Sequence, residues 1–266
     1  MTDDTAARHP FLDHPRPLAI AHRGGDETAP ENTVAAFRAA VELGFRYLET
    51  DVHVTSDGVL VAFHDDRLDR VTDGHGEVAR LPWSEVSTAK IGGTESIPRF
   101  EELLEEFPTA RFNVDMKSEH SVIPLVRAIQ RHGAADRVCI ASFSSDRLRR
   151  ARSLLGPGVC TAASPREITA LIGRARLGER GARRADVPFG CVQVPVRHAR
   201  VEVVTPAFVA LVHSLGAQVH VWTIDEPAEM DRLLDLGVDG IMTDRPSVLR
   251  EVLERRGVWV SGPYGG

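Results

Sequence analysis

Eight short apolar runs, separated by segments of helical length, constrain the fold of this 266-residue chain more than any other feature. They lie at 17–21, at the strand that opens at Glu49, and at 112–116, 138–141, 158–162, 191–194, 218–222 and 240–243. A ninth run, 59–63, follows Asp57-Gly58, the dipeptide that most strongly marks a tight hairpin. A hairpin makes it antiparallel to the Glu49 strand, so it cannot join a parallel set. Eight parallel strands, each followed by a helix, in about 250 residues define an α/β fold, the TIM (β/α)8 barrel. An open doubly wound sheet, the alternative, has no reason to use eight units.

Helix signals agree with this count. Pro30-Glu31-Asn32-Thr33 opens a helix that runs to about Leu43, with Val34, Phe37, Val41 and Leu43 at helical spacing and Gly44 as its stop. Pro98 starts a helix through Glu106, and a last one runs from about Pro246 to Arg255. Between Asp66 and Gly93 the pattern loosens into turns and short helical pieces, which implies a small insertion after strand 2, at about 66–97. Residues 1–16, polar and holding Pro10 and Pro15, are expected as a frayed N-terminal tail. The barrel domain then covers 17–257, and 258–266 form a C-terminal tail.

In such barrels the chemistry sits at the C-terminal ends of the strands. Those ends carry ionisable residues on three neighbouring strands: His22 and Arg23, then Glu49 and Asp51, then Asp115 and Lys117. Glu49 and Asp51 share one face of their strand, because side chains alternate. The hairpin folds His64 back toward the same end. Two like charges side by side repel, and burying them unpaired would cost several kcal/mol. A divalent cation removes that cost. Glu49, Asp51 and Asp115 offer three hard oxygen donors, which favour Mg²⁺, Ca²⁺ or Mn²⁺ over zinc. The bland alternative pairs these carboxylates with Arg23 and Lys117 and needs no metal.

His22 and His64 form the second constellation. Two imidazoles facing a metal suit cleavage of a phosphodiester, one deprotonating the attacking oxygen and the other protonating the departing alkoxide. Arg23 and Lys117 are expected to bind the phosphate. Trp222 ends strand 7 as either an apolar wall of the substrate site or a core residue. Asp65 either orients His64 or caps a turn. Phe143 is expected to be packing, and Thr243-Asp244 to cap the last helix. His53 is expected to be exposed or to sit behind the site. The remaining histidines, His9 and His220 among them, lack partners that the sequence can place and are read as surface.

Composition sets outer bounds. A net charge of -6 argues against a nucleic-acid footprint. No run approaches the roughly 20 apolar residues of a membrane span, and the acidic start is unlike a signal peptide. Cys139, Cys160 and Cys191 lie in apolar strand-like runs without C-x-x-C spacing, which fits free buried thiols and a reducing, cytoplasmic setting. The basic run 174–184 is expected as a solvated helix end, with docking to anionic lipid as the sharper alternative.

Several motifs stand in order: His22-Arg23-Gly24, Pro30-Glu31-Asn32-Thr33, Glu49-x-Asp51-Val52, Thr55-x-Asp57-Gly58, Val61-x-x-His64-Asp65 and Arg70-x-Thr72-x-Gly74. Asn113-x-Asp115-x-Lys117, Trp222-Thr223 and Gly237-Val238-Asp239-Gly240-Ile241-x-Thr243-Asp244-x-Pro246 follow. This ordered set, from about Leu18 to Leu253, resembles the glycerophosphodiester phosphodiesterase family. The resemblance implies a barrel with a small insertion after strand 2 and a metal-dependent hydrolase of lipid and glycerol metabolism. It implies catalytic histidines at His22 and His64 and metal carboxylates at Glu49, Asp51 and Asp115.

Two departures stand out. The third metal carboxylate of the family is usually glutamate, whereas here it is the shorter Asp115. Asp225 stands where the family often has asparagine, and its extra charge is expected to alter polar-group recognition. The leading expectation is hydrolysis of a small glycerophosphodiester to glycerol 3-phosphate and an alcohol. The alternative is a lysophospholipase D or sphingomyelinase D-like phospholipid phosphodiesterase.

Overall fold

The structure, a computed structural model, describes residues 9–179 and 187–261. Eight parallel strands carry the fold: β1 (Leu18–Ala21), β2 (Tyr47–Val54), β3 (Arg111–Met116), β4 (Val138–Ala141), β5 (Cys160–Thr161), β6 (Cys191–Val194), β7 (Gln218–Val221) and β8 (Gly240–Thr243). They pair in the order β5-β4-β3-β2-β1-β8-β7-β6. A parallel bridge between Ala162 and Cys191 joins the two ends, with the Gly190 amide donating to the Thr161 carbonyl at 3.0 Å. The ring is therefore a nearly closed barrel, as the strand count requires. The 59–63 run forms only Leu60–Ala62, antiparallel to β2, with Val52 opposite Ala62.

One helix follows each strand: α1 (Val34–Glu42), α2 (Phe100–Glu106), α3 (Val122–Arg131), α4 (Ser145–Leu155), α5 (Pro165–Arg176), α6 (Pro206–Ser214), α7 (Pro227–Leu236) and α8 (Pro246–Arg255). Local chemistry sets several starts. Thr33, Ser144, Ser164 and Thr205 each accept a hydrogen bond from an amide of the first turn. Proline stands in the first turn of the last four helices, where a missing N–H costs nothing.

Alternation along the strands divides the apolar residues into two cores. Leu48, Phe112, Val114, Ile140, Val192 and Val219 pack outward against the helices. Leu18, Ile20, Tyr47, Cys139, Cys160, Cys191 and Met242 pack in a second cluster with Phe11 and Leu12. Residues 9–16 are thus not frayed, contrary to the reading of a tail over 1–16. Phe11 and Leu12, in the short turn Pro10–Leu12, are 1% and 3% exposed. Each contributes roughly 1.5–3 kcal/mol by burial. Tyr47 Oη and Arg111 donate to the Phe11 carbonyl, both at 2.7 Å, and Arg16 pairs with Asp239. Polarity of the flanking residues hid this two-residue plug. Residues 1–8 lie outside the described residues.

The C-terminal segment is anchored too, since Trp259 packs on Phe45 at 5.4 Å and under the Arg250 guanidinium. The insertion holds its own small core, with Phe63, Leu68, Val78, Val86, Ile91 and Ile97 buried together. Of the basic run, Arg174 pairs with Glu179, and 180–184 lie outside the described residues. Among the described residues no helix is long and apolar enough to cross a membrane.

Candidate active site

One cleft opens at the C-terminal ends of the strands, and all eight residues singled out for chemistry line it: His22, Arg23, Glu49, Asp51, His64, Asp115, Lys117 and Trp222. β2 and β3 align Asp51 with Asp115 in register, which brings the second and third carboxylates alongside.

The turn after β1 does the finest positioning. Arg23 has a left-handed φ of 51°, and its amide donates to Glu49 Oε2 at 3.0 Å. Gly24 must be glycine, because its φ is 87° and a Cβ would meet the α1 backbone at 2.9 Å. Asn32, also left-handed at φ 57°, is buried beneath the site. It accepts from Thr50 Oγ1 at 2.7 Å and donates to Asp51 Oδ2 at 3.1 Å. Nothing in its local sequence marked Asn32 as a support for Asp51.

The carboxylates are held by cations. Lys117 Nζ lies 2.7 Å from both Asp51 Oδ1 and Asp115 Oδ2. Arg23 Nε is 3.1 Å from Asp51 Oδ2, an ion pair off the line of a hydrogen bond, and its Nη1 donates to Glu31. Burial pushes Asp51 up, but Lys117 and Arg23 outweigh it and hold the carboxyl below its usual range. Burial opposes the Lys117 charge, yet Asp115 and Asp51 raise its pKa. Glu49 fares differently: burial first, and then the Asp51 charge, push it up to about 7. Asp115 Oδ1 is buried with no hydrogen-bond partner.

Each histidine is fixed at Nδ1 by an aspartate. Asp244 Oδ1 lies 2.6 Å from His22 Nδ1, and Asp65 Oδ1 lies 2.6 Å from His64 Nδ1. His22 Nε2 faces Glu49 Oε2 at 3.8 Å. Burial works against the His22 imidazolium, but Glu49 and Asp244 prevail and raise its pKa. Asp65 is held at about 2, first by Arg70 and then by His64. Arg70 reaches from the insertion to both Asp65 and Glu31, at 2.5 and 2.6 Å, and Glu31 binds Arg23. A charged chain thus runs from His64 to Asp51 through the insertion.

Several expectations need correction. Asp244 does not cap the last helix; Arg245 precedes α8 without a side-chain cap, while Asp244 binds His22. Asp225 turns back to accept from Thr243 Oγ1 and the Asp244 amide, both at 2.9 Å, so it supports that loop and is absent from the cleft lining. Phe143 is not core packing: it is 68% exposed, edge-on to Trp222, with Lys117 over its ring. Trp222 forms wall with it. His53 takes the second of the two places expected for it: buried behind the site, it bonds the His64 carbonyl at 3.1 Å. His9 and His220 are buried as well, not surface residues. Asn113 and Gln193 line the cleft, joined by a 2.7 Å hydrogen bond, and no motif pointed to Gln193.

The three carboxylates do not converge on one point. Among the described residues they do not place one oxygen each within 4.8 Å of one another, and Lys117 stands between two of them.

Fold and site together define a TIM barrel whose mouth holds a cleft of paired histidines, carboxylates and cations. A model of the glycerophosphoryl diester phosphodiesterase family matches residues 22–248. The chain is 45% identical over 261 residues to a probable glycerophosphodiester phosphodiesterase 2 of Mycobacterium tuberculosis, covering 97% of this chain and 99% of that one. It is 31% identical to a glycerophosphodiester phosphodiesterase of Caldanaerobacter subterraneus, with 90% and 99% covered. A rat lysophospholipase D is 27% identical, with 88% and 85% covered. An Oleispira antarctica phosphodiesterase, solved with its product sn-glycerol-3-phosphate, shares the fold at a TM-score of 0.76 and 24% identity, covering 90% of this chain and 97% of that one. The chain belongs to the glycerophosphoryl diester phosphodiesterase family and is an enzyme of that class.

Proposed function

We propose that this protein hydrolyses glycerophosphodiesters to glycerol 3-phosphate and an alcohol, with His22 and His64 as the acid–base pair. The observation that carries this reading is the pair of carboxylate-anchored rings in one cleft, each tied at Nδ1 by a 2.6 Å contact. That contact fixes tautomer and orientation and leaves Nε2 to exchange protons with substrate. One ring takes the proton of the attacking oxygen, either water or first the substrate's own hydroxyl with water then opening the cyclic phosphate, while the other gives a proton to the leaving alkoxide.

A hard dication, Mg²⁺, Ca²⁺ or Mn²⁺, belongs to the same reading, held by Glu49, Asp51 and Asp115. The donor set fits on two counts: Asp115 Oδ1 is buried and unpartnered, and Glu49 at about 7 calls for either a proton or a cation. When bound, such an ion neutralises phosphate oxygens and offsets charge developing in the reaction. Lys117 and Arg23 are now committed to carboxylates. A dication on those carboxylates would release their positive charge toward an anionic ester.

The test is a panel of glycerophosphodiesters assayed after EDTA treatment and again with each ion restored. Activity should vanish and return, and His22→Ala and His64→Ala should each abolish turnover while the ion still binds. Full activity in EDTA would remove the metal from the mechanism, and near-normal turnover in either histidine variant would remove that ring.

A second reading, phosphodiester cleavage of lysophospholipids, draws on the exposed Phe143 beside Trp222, an apolar rim suited to an acyl chain. Comparing turnover of glycerophosphocholine and lysophosphatidylcholine separates the two.

A further inference from the structure

Deeper in the barrel lies a second cluster with the opposite donor chemistry. Cys139, Cys160 and Cys191 stand on the consecutive strands β4, β5 and β6 and pack inside the ring. All three are free thiols and fully buried. Their sulfurs lie within 4.8 Å of one another, and the Cys139 and Cys191 sulfurs are 3.8 Å apart. A tetrahedral ion with metal–sulfur bonds of about 2.3 Å separates its sulfurs by about 3.8 Å. A disulfide would join two of these thiols at about 2.05 Å and leave the third over.

His220, on β7 beside β6, interacts with Cys191, although neither of its ring nitrogens lies within 4.8 Å of all three sulfurs. It is fully buried. Its Nε2 lies 3.0 Å from Gln218 Oε1, which as an acceptor holds the proton on Nε2 and leaves the lone pair on Nδ1. Nδ1 is buried without a hydrogen-bond partner. The terminal plug closes the cluster from below: a Cβ on Gly190 would meet Leu12 at 2.9 Å and the Cys160 sulfur at 3.0 Å.

We propose that Cys139, Cys160 and Cys191 bind a thiophilic dication, Zn²⁺, as a structural site sealed inside the barrel, and that the His220 ring moves in through Nδ1 as the fourth ligand. Binding replaces S–H bonds by metal–sulfur bonds, releases the thiol protons to solvent and ligates neutral His220 through Nδ1, with no change of oxidation state. The site is distinct from the oxygen donors of the mouth, since none of its residues lines that cleft. Because it is closed to solvent, it loads during folding and acts on stability.

The whole chain, expressed in defined medium supplied with Zn²⁺ or with Co²⁺ as a spectroscopic probe, tests this. The expected result is about one ion per chain retained after dialysis against EDTA. The cobalt form should show a near-ultraviolet thiolate-to-metal charge-transfer band and a higher Tm than protein grown without either metal. The band should disappear in Cys191→Ser, shift in His220→Ala and persist in Asp115→Asn. Wild-type protein that retains no ion from the supplemented medium, a band unchanged in Cys191→Ser, or a single free thiol on denaturation would each overturn the proposal.

Discussion

The mouth and the floor of this barrel use the same strands for opposite purposes. On β3, Asp115 faces the cleft and stands in register with Ala141 of β4, while Asn113 is in register with Cys139. The mouth gathers hard oxygen donors and cations, open to substrate, with its charges balanced pair by pair through Lys117, Arg23 and Arg70. The floor gathers sulfur and one imidazole, closed beneath Phe11 and Leu12. The difference teaches that depth in one cavity selects chemistry. Charges survive where counter-ions and water reach them, whereas thiols are soft and apolar enough to be buried outright.

The comparison breaks most visibly at the mouth. His22→Ala and His64→Ala should each lower turnover by about 10²–10⁴-fold, in steady-state assays, with Tm nearly unchanged. A fall in Tm comparable to a core substitution would mean the rings are structural. Asp244→Asn comes next. It keeps the shape but releases the His22 tautomer, so turnover should drop about ten- to a hundredfold, with a displaced pH profile. An unchanged profile would reduce Asp244 to a loop residue.

A smaller effect follows from Glu49. Its folded pKa, about 7, lies above its ordinary 4.5, so the metal-free protein keeps this contribution to stability below about 4.5 and loses it as pH rises through about 7. The Tm of Glu49→Gln without ion should therefore gain on wild type as pH rises through that window. Protons should also compete with the dication below pH 7, weakening its apparent affinity by up to about tenfold per unit. A Tm difference that stays flat with pH would show that Glu49 is ionised throughout. The smallest change belongs below: Tyr47→Phe removes the hydroxyl that donates to the Phe11 carbonyl and should cost about 1 kcal/mol, or about 2–4 °C in Tm, with turnover unaffected. Loss of turnover there would join floor to mouth.

Much of the site was legible because local rules placed it. Strand alternation set Glu49 with Asp51, the Asp57-Gly58 turn returned His64, and strand ends located Asp115 and Lys117. The supports were not legible. Asn32 under Asp51, Asp244 against His22 and Arg70 across to Glu31 are contacts between segments 19 to 222 residues apart, and no local spacing encodes them.

The residues alone determined the eight-fold alternation of strand and helix, the hairpin, and which side chains could reach the mouth, because each follows from periodicity and turn chemistry within a short window. Only closure of the barrel decided that Phe11 and Leu12 are a plug, that Phe143 is a rim, and that three scattered cysteines meet in one place. Which inward positions face one another across a closed sheet depends on strand tilt and stagger, a property of the whole ring.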